Sequence, residues 1–188
     1  MSTTTAERIF NFSAGPAVMP ECVLEQIKTD VWNIDESGIG ILEHSHRGKI
    51  VDRIFEEAQE RCRAIDDIPE SHEILFIPGG ATKQFGMIPL NFLPEDGTAD
   101  YLDTGTWTNK AIKDAKVYGN VNVAFDGSAC QYDHVPTAEE ISFSVDAAYA
   151  FYCSNNTVMG TRFDNPPSTT APLICDASSE FFGRRMDF

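Results

Sequence analysis

Apolar residues in the first third of the chain recur every three or four positions, which is the spacing of amphipathic helices. The first predicted helix begins at Pro20, where a missing N–H is harmless, and stops before the turn Ser37–Gly40. A second helix is predicted from about Lys49 to Ile65, with its charged side chains on the opposite face. Ahead of them we expect a mobile arm over residues 1–7 and a short extended segment over Ile9–Phe12.

Beyond residue 73, short apolar runs alternate with helical patterns. The runs predicted as strands are Ile74–Ile77, Ala99–Leu102, Val121–Phe125, Ala148–Cys153 and Leu173–Cys175. Helices are predicted at about Thr82–Phe92 and Trp107–Tyr118. Alternation of this kind is typical of an α/β fold with a parallel sheet. A length of 188 residues leaves room for one such domain or for part of a larger one.

Composition and charge restrict the kinds of partner and the cellular location that are expected for this protein. With 42% hydrophobic and 23% charged residues the chain is expected to build a packed core. A formal net charge of -15 disfavours binding to nucleic acid and to anionic membranes. The sequence shows neither a signal-peptide pattern nor an apolar run long enough to span a bilayer, so we expect a cytoplasmic protein. Its five scattered cysteines are expected to be reduced and mostly buried.

Ligands of open α/β sheets bind beyond the carboxyl ends of the strands, so the loops after the predicted strands are the candidate sites. Gly79–Thr82 opens a helix and is suited to cradle an anion, but taken alone this loop is better explained as a glycine turn needed only for its backbone conformation. Trp107 is suited to stack on a flat ring or simply to pack. Ser154–Thr157 is able to bind a ligand or its own backbone. Asp176 needs a cation or several donors, or else it caps the next turn.

A cluster of cations and imidazoles precedes the sheet, over Glu43–Lys49. The H-x-H pair lacks convincing further ligands, so no metal site is predicted. An anion clamp is favoured, because Arg47 offers a planar fork to carboxylate or phosphate and His46 an imidazole that is able to carry charge.

Seven blocks, in this order, resemble the phosphoserine aminotransferases, which are pyridoxal-phosphate (PLP) enzymes. The blocks are Phe10–Ala17, His44–Lys49, Gly79–Phe85, Ala99–Trp107, Asp146–Tyr149, Ser154–Gly160 and Asp176–Ser179. The resemblance implies the large domain of a three-layer, fold type I PLP transferase with a mostly parallel sheet, incomplete in this chain. It assigns residues 1–15 to an arm or small-domain segment and residues 16–188 to the PLP-binding large domain.

The resemblance also implies roles for individual residues. Gly80, Ala81 and Thr82 would hold the cofactor phosphate, and Thr157 would bond the phenolic oxygen of the ring. As catalytic residues, Trp107 would stack on the pyridine ring and Asp176 would pair with its nitrogen, which makes the ring an electron sink. His46 and Arg47 would bind the distal anion of the substrate, phosphate in phosphoserine or carboxylate in glutamate.

The implied reaction is amino transfer between L-glutamate and 3-phosphohydroxypyruvate in serine biosynthesis, by a homodimer. The cofactor lysine of the family lies in an A-Q-K-N segment shortly after the strand-end acid, and the 188 residues contain no such segment. We therefore expect the chain to be the N-terminal part of a longer polypeptide and to be inactive alone. The alternatives are a non-catalytic remnant, a partner-binding half-enzyme, and a related aminotransferase that uses glyoxylate, pyruvate or a sulfur-containing acid.

Overall fold

The computed structural model describes residues 8–13, 15 and 17–185. The predicted arm over residues 1–7 lies outside the described residues, as do Ala14 and Pro16 of the first family block. The chain divides into two compact units, one ending at His72 and the other beginning at Glu73. The division into residues 1–15 and 16–188 stays a prediction.

The first unit contains both predicted amphipathic helices. Helix α1 spans Glu21–Trp32 and helix α2 spans Lys49–Asp66. Pro20, the predicted first residue of this helix, is the N-cap of α1, so the helix begins one position later than predicted. Short 3-10 helices connect the two, at Ile34–Glu36 and Ile41–Glu43. The segment Ile9–Phe12 forms no strand.

The second unit is a parallel α/β sheet. Its main elements are α3 (Gly80–Phe92), β1 (Thr98–Asp103), α4 (Thr106–Ala115), β2 (Asn120–Asp126), β3 (Ala150–Cys153), β4 (Asn155–Asn156), β5 (Thr161–Arg162) and β6 (Leu173–Asp176). The sheet order is β2-β1-β3-β6, and every pair is parallel. The short strands β4 and β5 form a separate antiparallel hairpin where a loop was predicted. Two more 3-10 helices, Gly127–Cys130 and Ala138–Glu140, lie between β2 and β3.

The core has one layer on each face of the sheet, because side chains alternate along a strand. On one face Tyr101 and Phe151 stack with ring centroids 5.0 Å apart, and Phe85 of α3 meets Phe151 edge-on at 6.1 Å. Ile112 of α4 belongs to the same cluster. On the other face Tyr152 packs edge-on against Phe163 at 5.3 Å. The predicted parallel α/β fold is therefore confirmed.

The prediction of a strand at Ile74–Ile77 is wrong. Among the described residues, this segment is assigned to no strand, and Leu75 is 71% exposed. A continuous apolar run shows that a segment has surface to bury, whereas a strand also needs a neighbour that supplies the ladder of hydrogen bonds. The four strands of the described sheet pair with one another and leave this run outside.

The cysteines are free, as predicted, but the expectation that most of them are buried is wrong. Cys153 is buried, whereas Cys22 and Cys175 are exposed and the other two are intermediate. Within the described residues, no helix combines the length and the apolar character needed to cross a membrane.

Candidate functional site

The parallel strands end in polar or reactive residues at one end of the sheet. Asp103, Asp126, Cys153 and Asp176 are the last residues of β1, β2, β3 and β6. Because all four strands run in the same direction, these ends and the loops that follow them lie on the same side, which we call the carboxyl end of the sheet. Ligands of open parallel sheets bind at this position.

Asp176 lines a cavity at this end of the sheet. The cavity has a volume of about 310 Å³, and its wall also includes Ala81 and Gln84 of α3. The Oδ1 atom of Asp176 accepts hydrogen bonds from the backbone N–H of Ser178 at 3.1 Å and from its hydroxyl at 2.6 Å. The Oδ2 atom lies 3.8 Å from the Sγ of Cys153. One carboxylate oxygen is thus oriented by the following turn, while the other contacts a weak thiol donor.

The Cys153 thiol is held in its neutral form. Burial in the strand, followed by the charge of the neighbouring Asp176, raises its pKa to about 12. A neutral thiol beside a carboxylate is able to donate a weak hydrogen bond but adds no second negative charge.

The first turn of α3 faces the same cavity through Ala81. Gly79 is the N-cap and has a φ of +107°, and a Cβ at this position would lie 2.4 Å from the Lys83 side chain. The chain conformation therefore requires glycine here, as the turn interpretation of the sequence proposed. The same turn also leaves the first N–H groups of the helix without intrahelical acceptors, which is the geometry of an anion cradle. Thr82, in this turn, is exposed.

Trp107 contacts Thr157 although fifty positions separate them in the sequence. The indole Nε1 donates to the Thr157 hydroxyl at 3.2 Å, and Trp107 is partly buried against the core. The Nζ of Lys110 lies 4.6 Å from the centroid of the Trp107 ring. Helix α4, which contains Trp107, begins at the end of the loop after β1, so this loop and the hairpin after β3 are joined by a pair of residues that were singled out separately in the sequence.

A buried polar network holds these two loops together. Asn156, which is fully buried, donates from Nδ2 to the Thr104 hydroxyl at 2.8 Å, and the Thr161 hydroxyl donates to the Thr104 carbonyl at 2.9 Å. Gly105 passes so close that a Cβ would lie 2.8 Å from Asn156 Oδ1. Sequence reasoning placed Thr104 and Asn156 in candidate loops but missed this link. The sequence feature that indicates this link is that small or polar residues directly follow both of the apolar runs.

His46 and Arg47 belong to the first compact unit. Both are exposed, and the Arg47 backbone N–H donates to the Ser45 hydroxyl at 3.2 Å. The nearby His44 Nε2 lies 3.1 Å from the Ser37 hydroxyl. The role of His46 and Arg47 in binding an anion stays a prediction.

Comparison with known proteins identifies the family. A model of the class-V aminotransferases matches residues 9–188. The chain belongs to the class-V aminotransferase family. Of the curated proteins, the phosphoserine aminotransferase of Campylobacter jejuni subsp. doylei is 44% identical over 182 residues, covering 96% of this chain and 50% of that protein. The phosphoserine aminotransferase of Pseudomonas aeruginosa is 43% identical over 183 residues, covering 97% of this chain and 51% of that protein.

Solved structures agree with this class-V aminotransferase assignment. The phosphoserine aminotransferase of Bacillus circulans subsp. alkalophilus superposes with a TM-score of 0.92 at 42% identity, over 97% of this chain and 51% of that one. A PLP-bound phosphoserine aminotransferase from Trichomonas vaginalis gives a TM-score of 0.90 at 41% identity, over 96% and 54%. The chain therefore spans about half the length of the curated relatives that it matches. The predicted PLP-transferase fold is confirmed.

Proposed function

We propose that the protein that contains this chain is a PLP-dependent phosphoserine aminotransferase. It would transfer the amino group of L-glutamate to 3-phosphohydroxypyruvate, giving O-phospho-L-serine and 2-oxoglutarate. The observation that carries the proposal is the position of Asp176 at the end of a parallel strand, lining a cavity of about 310 Å³ together with Ala81 at the start of α3. Relatives named phosphoserine aminotransferase support the choice of reaction.

The residues of this cavity fit PLP. When bound, PLP acts as an electron sink for the carbanion at the substrate Cα, provided that its ring nitrogen is protonated. Asp176 would keep a proton at that nitrogen, because its carboxylate is oriented by Ser178 and its Oδ2 contacts only a weak donor among the described residues. The neutral Cys153 thiol adds no second charge that would compete for the proton.

The phosphate and the ring face would be held by the neighbouring loops. Gly80, Ala81 and Thr82 form the first turn of α3, where free N–H groups and the helix dipole favour an anion. Trp107 would cover one face of the ring, and Thr157 would donate to its phenolic oxygen. The hydrogen bond of 3.2 Å between Trp107 and Thr157 supports a shared binding surface for these two roles.

We also propose that His46 and Arg47 bind the distal anion of each substrate in turn. A guanidinium binds either a carboxylate or a phosphate in a bidentate manner, so one site is able to serve glutamate and phosphoserine in a ping-pong reaction. A homodimer and a cytoplasmic location belong to the same proposal. These 188 residues alone are not expected to complete the reaction, because they contain no A-Q-K-N segment.

The role of Asp176 is tested by measuring PLP retention of the purified protein by equilibrium dialysis. Asp176→Asn should weaken retention by about 10-fold to 100-fold, since it removes a charge-assisted hydrogen bond to the cofactor. Asp126 is a matched control, because its Oδ1 accepts from Ser128 N at 3.0 Å and Ser128 Oγ at 2.6 Å, the same local turn as at Asp176. Equal weakening by Asp126→Asn would contradict the assignment.

Substrate choice is tested separately. Arg47→Ala should raise the dissociation constants of phosphoserine and glutamate by about tenfold or more and leave that of PLP unchanged. Lys49→Ala, which removes a nearby exposed cation, is the control. The proposed substrate is wrong if the kcat/KM of the protein is higher for glyoxylate or pyruvate than for 3-phosphohydroxypyruvate.

A further inference from the structure

Three side chains with metal-binding groups converge in the turn that follows β2. The Cys130 thiol, the Asp133 carboxylate and a ring nitrogen of His134 offer ligand atoms that all lie within 4.8 Å of one another. They belong to the sequence Cys130-Gln131-Tyr132-Asp133-His134. The proposed aminotransferase reaction assigns a role to none of these side chains.

The backbone creates this convergence. The 3-10 helix Gly127–Cys130 is followed by two residues in the left-handed region, Gln131 and Tyr132, each with a φ of +58°. The chain reverses there, with hydrogen bonds from Tyr132 N to Gly127 O at 2.8 Å and from Asp133 N to Cys130 O at 3.3 Å. The Tyr132 hydroxyl donates to Asp103 at the end of β1, at 3.3 Å. Tyr132 thus anchors the turn to the end of β1.

His134 is held between two carboxylates. Its Nδ1 lies 2.5 Å from Asp133 Oδ1 and its Nε2 lies 3.2 Å from Glu140 Oε1. Glu140 is itself fixed, because its Oε2 accepts from the backbone N–H of Thr137 at 2.8 Å and from its hydroxyl at 3.0 Å. The ring of Phe125 packs edge-on against the imidazole at 5.9 Å. A histidine whose second nitrogen donates to a fixed carboxylate is the usual arrangement of a metal-bound imidazole.

We propose that Cys130, Asp133 and His134 bind a Zn²⁺ ion, with Glu140 orienting the imidazole from the outer shell. The ligands would be Cys130 Sγ, a carboxylate oxygen of Asp133 and His134 Nδ1, and the fourth tetrahedral position would hold water. A mixed sulfur, nitrogen and oxygen set selects Zn²⁺ over Mg²⁺ and Ca²⁺, which take oxygen ligands. Binding releases the thiol proton and any proton on Nδ1 to solvent, so no other reactant is needed.

This proposal departs from the sequence prediction that the chain has no metal site. That prediction weighed the H-x-H pair and the absence of paired cysteines. The pattern C-x-x-D-H was overlooked because it lacks a regular zinc-finger spacing. Its ligands meet only because two consecutive residues adopt the left-handed conformation.

The test uses the full chain without PLP, so its outcome is independent of the aminotransferase proposal. The protein is treated with a chelator and titrated with Co²⁺, followed by competition with Zn²⁺. We expect one Co²⁺ per chain, a thiolate-to-cobalt charge-transfer band and its loss when Zn²⁺ is added. Cys130→Ser should abolish the band, and His134→Gln and Glu140→Gln should each weaken Zn²⁺ binding by about tenfold or more.

Two control variants and one direct measurement decide the result. Cys22→Ser removes an exposed cysteine elsewhere, and Glu139→Gln removes an acid next to Glu140; both should bind Zn²⁺ as the wild type does. Circular dichroism checks that each variant is folded. Zinc-edge X-ray absorption of the wild-type protein should show one sulfur ligand and nitrogen or oxygen ligands. A shell without sulfur, or a charge-transfer band that persists in Cys130→Ser, would overturn the proposal.

Discussion

Cys153 and Cys22 are both free thiols, yet their surroundings differ. Cys153 ends a buried strand beside Asp176, and burial together with that charge raises its pKa to about 12. Cys22 is exposed on α1. Because only the thiolate reacts with alkylating reagents, Cys153 is expected to react very slowly at neutral pH.

We therefore predict that iodoacetamide modifies Cys22 much faster than Cys153 in the native protein. Peptide mass spectrometry at successive times measures both rates in one sample. In a denaturant the two rates should become similar, since burial and the Asp176 charge no longer act on Cys153. Equal rates in the native protein would show that the thiol is more accessible than the structure indicates.

At the scale of whole elements, Asp100 connects β1 to β2 and to the segment before β3. Its carboxylate is fully buried and accepts hydrogen bonds from Asn122 Nδ2 at 2.8 Å, Ser144 N at 2.8 Å and Ser144 Oγ at 2.7 Å. These bonds hold β2 and the segment before β3 against the central strand. A buried carboxylate is tolerated in the sheet because these donors replace its hydration.

Asp100→Ala should lower the free energy of unfolding by about 3 kcal/mol, because it removes the three hydrogen bonds that a buried carboxylate accepts from partly buried donors. Urea unfolding followed by circular dichroism measures the change. Asp96→Ala, at an exposed loop position, should alter the stability by less than about 0.5 kcal/mol. A loss at Asp100 no larger than that of the control would mean that the network contributes little.

The elements themselves were largely predictable from periodicity. Helix α2 was predicted from Lys49 to Ile65 and spans Lys49–Asp66, since its apolar stripe and its charged face are unambiguous. The strands β1, β2, β3 and β6 were also found, because each is a short apolar run between turn residues. The run Ile74–Ile77 is equally apolar, but the prediction of a strand there is wrong, because the sequence of a run does not by itself determine which strand it pairs with.

At the scale of the second unit, hydrogen bonds of Glu180 and Arg184 connect the segment that follows β6 to the segment that follows β5. Arg184 donates to both carboxylate oxygens of Glu180, at 3.2 and 3.0 Å, and to the Phe163 carbonyl at 3.1 Å. Burial alone would raise the pKa of Glu180. Hydrogen bonds from Arg184 and Ser154 and the positive charges nearby outweigh burial and hold the pKa below its ordinary value.

A lowered carboxyl pKa gives a stability contribution that is present above the pKa of the unfolded state and is lost as the pH falls through that of the folded state. Glu180→Gln should therefore reduce the free energy of unfolding at about pH 7, and the difference from wild type should shrink as the pH falls below the ordinary range of a carboxyl group. Chemical unfolding at several pH values measures this. Glu139→Gln, at an exposed position, should show no such trend. A difference that stays constant with pH would exclude the ionic contribution.

The sequence by itself determined the parallel α/β class, most element bounds, and the family, since periodicity and ordered motifs are local properties of the chain. It also placed the candidate residues at strand ends. The resemblance to the family already assigned a role to Asp176, but only the tertiary structure shows a physical difference between Asp176 and Asp126. Both are followed two positions later by a serine and form the same turn, yet Asp176 alone of the two lines the cavity beside α3. The difference arises because strand order and helix packing, which join distant segments, decide which strand end adjoins α3.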